Sequence, residues 1–126
     1  MQEIDIGIPE AKRKAAADEL GKLLADTYTL YLTTHGFHWN VTGPMFQQLH
    51  DAFMVQYTEL WNALDVIAER IRSLGFYAPA SYAQYAALAS IETPTEVPEA
   101  RKMLEIALQG HEVVARTARK VLPIAE

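Results

Sequence analysis

Apolar residues recur at helical spacing in three long stretches of the chain, and nowhere do they alternate in the two-residue rhythm of a strand. Residues 1–8 form a short arm. The first stretch opens at Pro9-Glu10, where proline suits the first helical position and the acid suits the positive end of the helix dipole. Leu20, Leu24, Thr27, Tyr31 and His38 then make one stripe and Leu23, Leu30 and Phe37 a neighbouring one. They predict a helix from about 9 to 40 that tolerates Gly21 and Gly36. Thr42-Gly43-Pro44 breaks the pattern, with Thr42 or Gly43 available to cap the next helix.

The second stretch, 45–74, has a 3-4 stripe of Phe46, Leu49, Phe53, Tyr57, Leu60, Leu64, Ile67 and Ile71, and Gly75 is placed to end it as a C-terminal cap. Two long helices joined by so short a loop pack antiparallel. Residues 75–98 connect to the last stretch and are broken by Pro79, Pro94 and Pro98. Between them Ser81 to Ala89 reads as a short helix capped by Ser81. The connector is long for a hairpin loop and suits a crossing of the bundle. Val97-Pro98-Glu99 starts the third long helix, with Leu104, Leu108, His111, Ala115, Ala118 and Leu122 as its expected inner face. Pro123 should stop or kink it. The expected fold is all-α, with three long helices and one short crossover. Long helices with such a connection usually form bundles of four, so the expectation includes a missing fourth helix, through truncation or cover by another chain.

Length and charge narrow the possible roles. The chain has 126 residues, enough for one domain with a real core. No apolar run is long enough to span a membrane. The opening Met-Gln-Glu-Ile-Asp lacks a basic-then-apolar leader, so a cytoplasmic location is expected. There is no cysteine, which removes disulfides and thiolate metal sites. The formal net charge of −5 disfavours DNA as a partner. Lys12, Arg13 and Lys14 are followed by Asp18 and Glu19 and read as a solvated helix face.

Candidate chemistry lies on the second helix. On a helical wheel His50, Met54, Trp61, Asp65 and Glu69 fall within roughly a 100° arc, beside the core stripe but distinct from it. Asp65 and Glu69 are i, i+4 neighbours whose carboxylates can converge on one cation, and His38 and His50 can complete its shell with nitrogen. Iron(II), zinc and manganese all suit these ligands. Fifteen residues at ~1.5 Å each put His50 and Asp65 roughly 22 Å apart, too far for one chain to bring both to one metal. Two copies packed antiparallel across a two-fold axis can do so.

Each residue also has a plainer role. Asp65 and Glu69 can be an exposed pair bonded to Arg70 or Arg72, and His50 an ordinary helix-start residue. His35 can chelate with His38 or favour a helix C-terminus, and His38 is the better ligand of the two. His111 reads as a satisfied core histidine. Trp39 and Trp61 suit packing, though Trp39 beside a ligand histidine is also placed to intercept oxidising radicals. There is no phosphate loop, no nucleophile elbow and no Glu-x-x-His motif of a diiron site inside one chain.

Two segments carry a resemblance. Asp26-Thr-Tyr-Thr-Leu-Tyr-Leu-Thr-Thr-His-Gly-Phe-His-Trp-Asn-Val-Thr-Gly-Pro-Met45 resembles the end of the first helix in the Dps family, the DNA-protection-during-starvation miniferritins. Gln56-Tyr-Thr-Glu-Leu-Trp-Asn-Ala-Leu-Asp-Val-Ile-Ala-Glu-Arg-Ile-Arg-Ser-Leu-Gly75 is similar to its second. The resemblance covers essentially the whole chain. It implies a ferritin-like four-helix bundle with a short helix between the second and third. It further implies a twelve-subunit shell, and an intersubunit ferroxidase site that oxidises iron(II), preferentially with hydrogen peroxide, and stores ferric mineral. By matched position His38 and His50 would be ligands from one subunit, Asp65 and Glu69 from its two-fold mate, and Trp39 the tryptophan beside the site.

The chain departs from the family in two respects. The family commonly has an acid four residues after the second histidine, and Met54 stands there, a thioether poorly suited to hard iron. Asp51 lies about 100° away on the wheel and is a doubtful substitute. The other departure is the expected absence of the fourth helix. The leading expectation is therefore a peroxide-using ferroxidase for iron storage and oxidative-stress protection. A structural or assembly variant with a weakened site is the alternative. DNA compaction is disfavoured because residues 1–8 carry no lysine or arginine.

Overall fold

Helix α1 (Glu10–Asn40) is the spine against which the other helices pack. The computed structural model describes the backbone of residues 6–125 and side chains as far as Val121; residues 1–5 of the expected arm and the Leu122 side chain lie outside it. Helix α1 is flanked by α2 (Phe46–Ser73), the short α3 (Tyr82–Leu88) and α4 (Ala100–Ala125). The two stripes read on α1 explain this position, since one helix with two apolar faces needs cover on both. Leu24, Leu30, Phe37 and His38 are all buried. Thr27, Thr29, Thr33 and Thr34 are buried as well, because each hydroxyl donates to the carbonyl four residues back at 2.7–2.9 Å.

The core has two centres. Phe37, Val41, Leu49, Phe53, Met103 and Ala107 pack at the end of the α1–α2 turn. Ala17, Leu24, Leu64 and Ile71 pack at the other, with Leu20, Tyr28, Tyr31, Phe76 and Tyr85 against them. Two expected caps form in the connector, one at its start and one at α3. Gly75 adopts φ 93°, and Gly75 N–H and Phe76 N–H donate to the carbonyls of Arg72 and Ile71, the pattern of a Schellman motif. Ser81 Oγ accepts from Gln84 N–H at 3.2 Å and caps α3. At the start of α2 neither Thr42 nor Gly43 supplies a side-chain cap; Met45 is the N-cap residue, and Phe46 N–H donates to Gly43 O at 3.1 Å.

Several expectations are corrected. A missing fourth helix is not found: four helices are present among the described residues, the fourth in chain order being α4 at Ala100–Ala125. The four are the three long helices and the short crossover α3, which is capped at Ser81 and packs on α1.

The inner face of α4 is displaced by about one residue. Leu104, Leu108, His111 and Ala115 are exposed, while Met103, Ala107, Gly110, Thr117 and Val121 are buried. Two contacts set this register. At Gly110 the helices are so close that a Cβ would lie 2.5 Å from Leu30 Cδ1. At Thr117 the hydroxyl donates to the fully buried Asp26 carboxylate at 2.7 Å, which also accepts from Ser90 N–H at 2.5 Å. His111 is accordingly a surface residue, 3.3 Å from Gln56 Oε1 of α2, rather than a core histidine.

Arg13 leaves the solvated face. It is buried, donating to Leu74 O at 2.8 Å and Ile8 O at 3.2 Å, and so satisfies a carbonyl at the C-terminus of α2. Phe46 is exposed at the edge of its stripe and stacks on His50, with ring centroids 5.0 Å apart. Helix α4 continues through Pro123 to Ala125, because a proline removes one backbone hydrogen bond without forbidding the helix.

Candidate metal centre

The turn Val41–Met45 folds α2 back along α1 and brings His38 of α1 against His50 of α2. Their rings stack with centroids 3.7 Å apart and planes 17° from parallel. His38 Nδ1 lies 2.7 Å from the His50 carbonyl oxygen, and His50 Nδ1 lies 2.7 Å from the His38 carbonyl oxygen. A carbonyl oxygen can only accept, so both Nδ1 atoms carry protons. Each neutral ring then keeps its lone pair on Nε2. This is the tautomer a metal-binding histidine needs, fixed by the outer hydrogen bond that such histidines usually have. His38 is buried and His50 half-buried, which limits their freedom before any ligand arrives.

Asp65 and Glu69 stand at the far end of α2. Both are exposed, and among the described residues neither pairs with Arg70, Arg72 or any other cation. Arg72 instead donates to Phe76 O at 3.2 Å and lies 4.7 Å over the Tyr77 ring. The acidic pair is thus available. Within one chain it does not meet the histidines: among the described residues no three or more histidine, aspartate or glutamate side chains gather for a metal. Met54 is 44% exposed on the arc between the two ends. Asp51 points its carboxylate to Gln47 Nε2, with both oxygens at 3.1 Å, and is taken up locally.

His35 does not chelate with His38. Their centroids are 6.2 Å apart, and His35 Nδ1 is engaged with the Tyr31 hydroxyl at 3.0 Å. The His35 ring is stacked on Tyr57 at 4.1 Å and tilted against Trp39 at 4.2 Å. Burial, then the nearby His38, lowers the His35 pKa below the ordinary histidine value. Burial, then Tyr57, raises that of Tyr31. Both shifts favour the neutral forms, a phenol beside an imidazole. Trp39 itself is 63% exposed. Sequence reasoning missed Asp26 and the Tyr31–His35 pair. An aspartate on the buried stripe next to Leu24 and Ala25 was the available signal for the first, and the i, i+4 spacing of tyrosine and histidine for the second.

Comparison with known proteins gives the same outline. The family model of the ferritin-like domain matches residues 17–126. A low temperature-induced protein of Nostoc sp. is 37% identical over 120 residues, covering 94% of this chain and 67% of that one. A DNA protection during starvation protein of Bacillus anthracis is 34% identical over 113 residues, covering 90% of this chain and 77% of that one. The crystal structure of a Dps protein from Vibrio cholerae, described as a member of a superfamily of ferritin-like diiron-carboxylate proteins, superposes with a TM-score of 0.92 at 30% identity, covering 99% of this chain and 79% of that one. Paired histidines in the first hairpin, the helical architecture and these relationships agree, and the chain belongs to the Dps family of ferritin-like proteins.

Proposed function

We propose that two copies of this chain, related by a two-fold axis, together bind and oxidise iron(II) for storage and detoxification. His38 and His50 of one copy present Nε2 lone pairs, and Asp65 and Glu69 of the other present carboxylates. Iron is substrate and cargo here, and hydrogen peroxide is the electron acceptor. The observation that carries the reading is the reciprocal Nδ1–carbonyl pair, which holds both histidines in the ligand tautomer with no metal needed to do so. The free carboxylates fit the same role, since a hard cation takes oxygen ligands and a borderline one takes oxygen with imidazole. The assembly expected is the twelve-subunit shell of the family, in the cytoplasm.

Anaerobic iron(II) titration followed by peroxide tests the proposal. The parent should bind iron and oxidise it. The Asp65→Ala/Glu69→Ala double variant should do neither, and undiminished oxidation by that variant overturns the assignment. Met54 favours a second reading, a variant of the family with a weakened site. Under it the parent turns over slowly and Met54→Glu gains activity. DNA binding is not part of the proposal: the net charge is −5, and a salt-dependent gel shift would be needed to reinstate it.

A further inference from the structure

Five of the six tyrosines lie in one run of aromatic rings that starts at the histidine pair. From His38 the centroid spacings are 5.2 Å to Tyr57, 6.2 Å on to Tyr31, 5.9 Å to Tyr28 and 4.6 Å to Tyr85. Tyr82, 6.3 Å from Tyr28, is 74% exposed and ends the run at the surface. Packing alone accounts for clustered rings. It places the Tyr31 ring but does not dictate the bond of its hydroxyl, which meets the Nδ1 of His35 at 3.0 Å. With the His35 proton on Nε2 and Nδ1 bare, that contact gives the phenol proton a destination in the same place where the ring has aromatic neighbours on both sides.

We propose that Tyr31 and His35 form a proton-coupled redox pair, and that Tyr28, Tyr85 and Tyr82 carry the resulting oxidising equivalent to the surface. The role in iron chemistry rests on the site proposed above. Peroxide accepts two electrons, and one iron(II) gives only one. Tyr31 supplies the second. Iron(II), peroxide, the phenol and the imidazole become iron(III), a phenoxyl radical, an imidazolium and two hydroxide ions. The O–O bond breaks, the phenol O–H bond breaks, and the proton forms a bond to His35 Nδ1. A second iron(II) restores the pair by returning one electron as the imidazolium returns its proton, or the radical passes along the tyrosines to an external one-electron donor. Full reduction of peroxide by single iron ions avoids the hydroxyl radical that a lone one-electron step would release. Met54, in place of an acid on the site's arc, gives such a supply a purpose.

The full chain is tested in two arms. Without iron, pulse-generated azide radicals oxidise indole faster than phenol, and transfer is read as decay of indolyl absorption with growth of tyrosyl absorption. Trp61 lies 5.3 Å from Tyr31 and, once oxidised, is the electron acceptor. The parent should convert, with a slower rate in heavy water because a proton moves with the electron. Tyr31→Phe, which keeps the ring, should lose the conversion, and so should His35→Phe, which keeps a ring and removes the proton acceptor. The second variant decides the matter should the first fail to fold. Conversion by both variants at the parent's rate overturns the pair. In the other arm, iron(II)-loaded protein is mixed with peroxide and frozen for electron paramagnetic resonance. A tyrosyl signal absent from Tyr31→Phe supports the relay in iron chemistry, and iron oxidation without any tyrosyl signal overturns that use. Absence of iron oxidation, with conversion intact in the first arm, overturns the site reading and not the redox pair.

Discussion

The two ends of α2 are built on different principles. At its start, His50 is locked to His38 by stacking and two backbone hydrogen bonds, in a half-buried position finished within one chain. At its end, Asp65 and Glu69 project into solvent with no cation beside them among the described residues. The first end ties its imidazoles to the fold, since their geometry cannot be lost without unpairing backbone carbonyls. The second end is free of structural duty. In the shared site proposed above, one half is held rigid by its own chain and the other is left to be ordered by its neighbour.

The largest effect should come from the free end. Asp65→Ala/Glu69→Ala should weaken iron(II) binding by more than about 100-fold in anaerobic titration, since partners one step removed from a metal are already worth roughly 10- to 100-fold. Its urea unfolding should stay within about 0.5 kcal/mol of the parent, as for other exposed substitutions. The locked end should respond in both measurements. His50→Ala should lose iron binding and destabilise the chain by about 1–3 kcal/mol, because the His38 carbonyl loses its donor in a half-buried place. Equal stability losses at the two ends would erase the contrast. Met54→Glu should raise peroxide-driven iron oxidation by about tenfold, the lower end of what an added partner contributes at a metal. No gain would show that the arc between the two ends is not limiting.

The smallest effect is a pH dependence. The folded-state pKa of His35 is depressed, chiefly by burial. Below about 6.5, the unfolded chain therefore takes a proton at this residue that the folded chain resists. The unfolded state binds more protons in that window, so stability falls as pH drops from about 6.5 toward the lower folded value and levels off beneath it. Urea midpoints across this range for the parent and His35→Phe should differ in slope, with the shallower slope in the variant. A parallel pair of curves would remove His35 from the locked end's electrostatics.

The boundaries at Gly75 and Ser81 were legible because local chemistry fixes them, whereas the start of α2 and the passage of α4 through Pro123 were not. Gly75 and Ser81 end and begin helices through backbone and side-chain bonds of nearby residues. The α1 stripes were legible for the same reason, being dense enough to show both covered faces. The face of α4 was not. Its leucines at 104 and 108 outweigh Gly110 and Thr117 on any hydrophobic scale, yet the tight approach to Leu30 and the bond to Asp26 decide the register. Those are contacts between residues far apart in sequence, and periodicity within one helix carries no trace of them. Arg13 failed likewise: its charge suggested solvent, while its partner is a carbonyl at the end of another helix. At the candidate site, spacing alone was enough to suggest that histidines and acids cannot meet within a chain. The mutual bonding of the two imidazoles to each other's carbonyls was invisible, since it depends on the path of the turn.

That path has a consequence for how the hairpin can change. Five residues, Val41 to Met45, separate α1 from α2, and they set the offset at which one imidazole finds the other's carbonyl. Inserting a single residue there would rotate α2 by about 100° and slide it about 1.5 Å, sending His50 off its partner while leaving both helices intact. The length of this turn is therefore a dimension of the proposed coordination chemistry, as fixed as the identity of the proposed ligands.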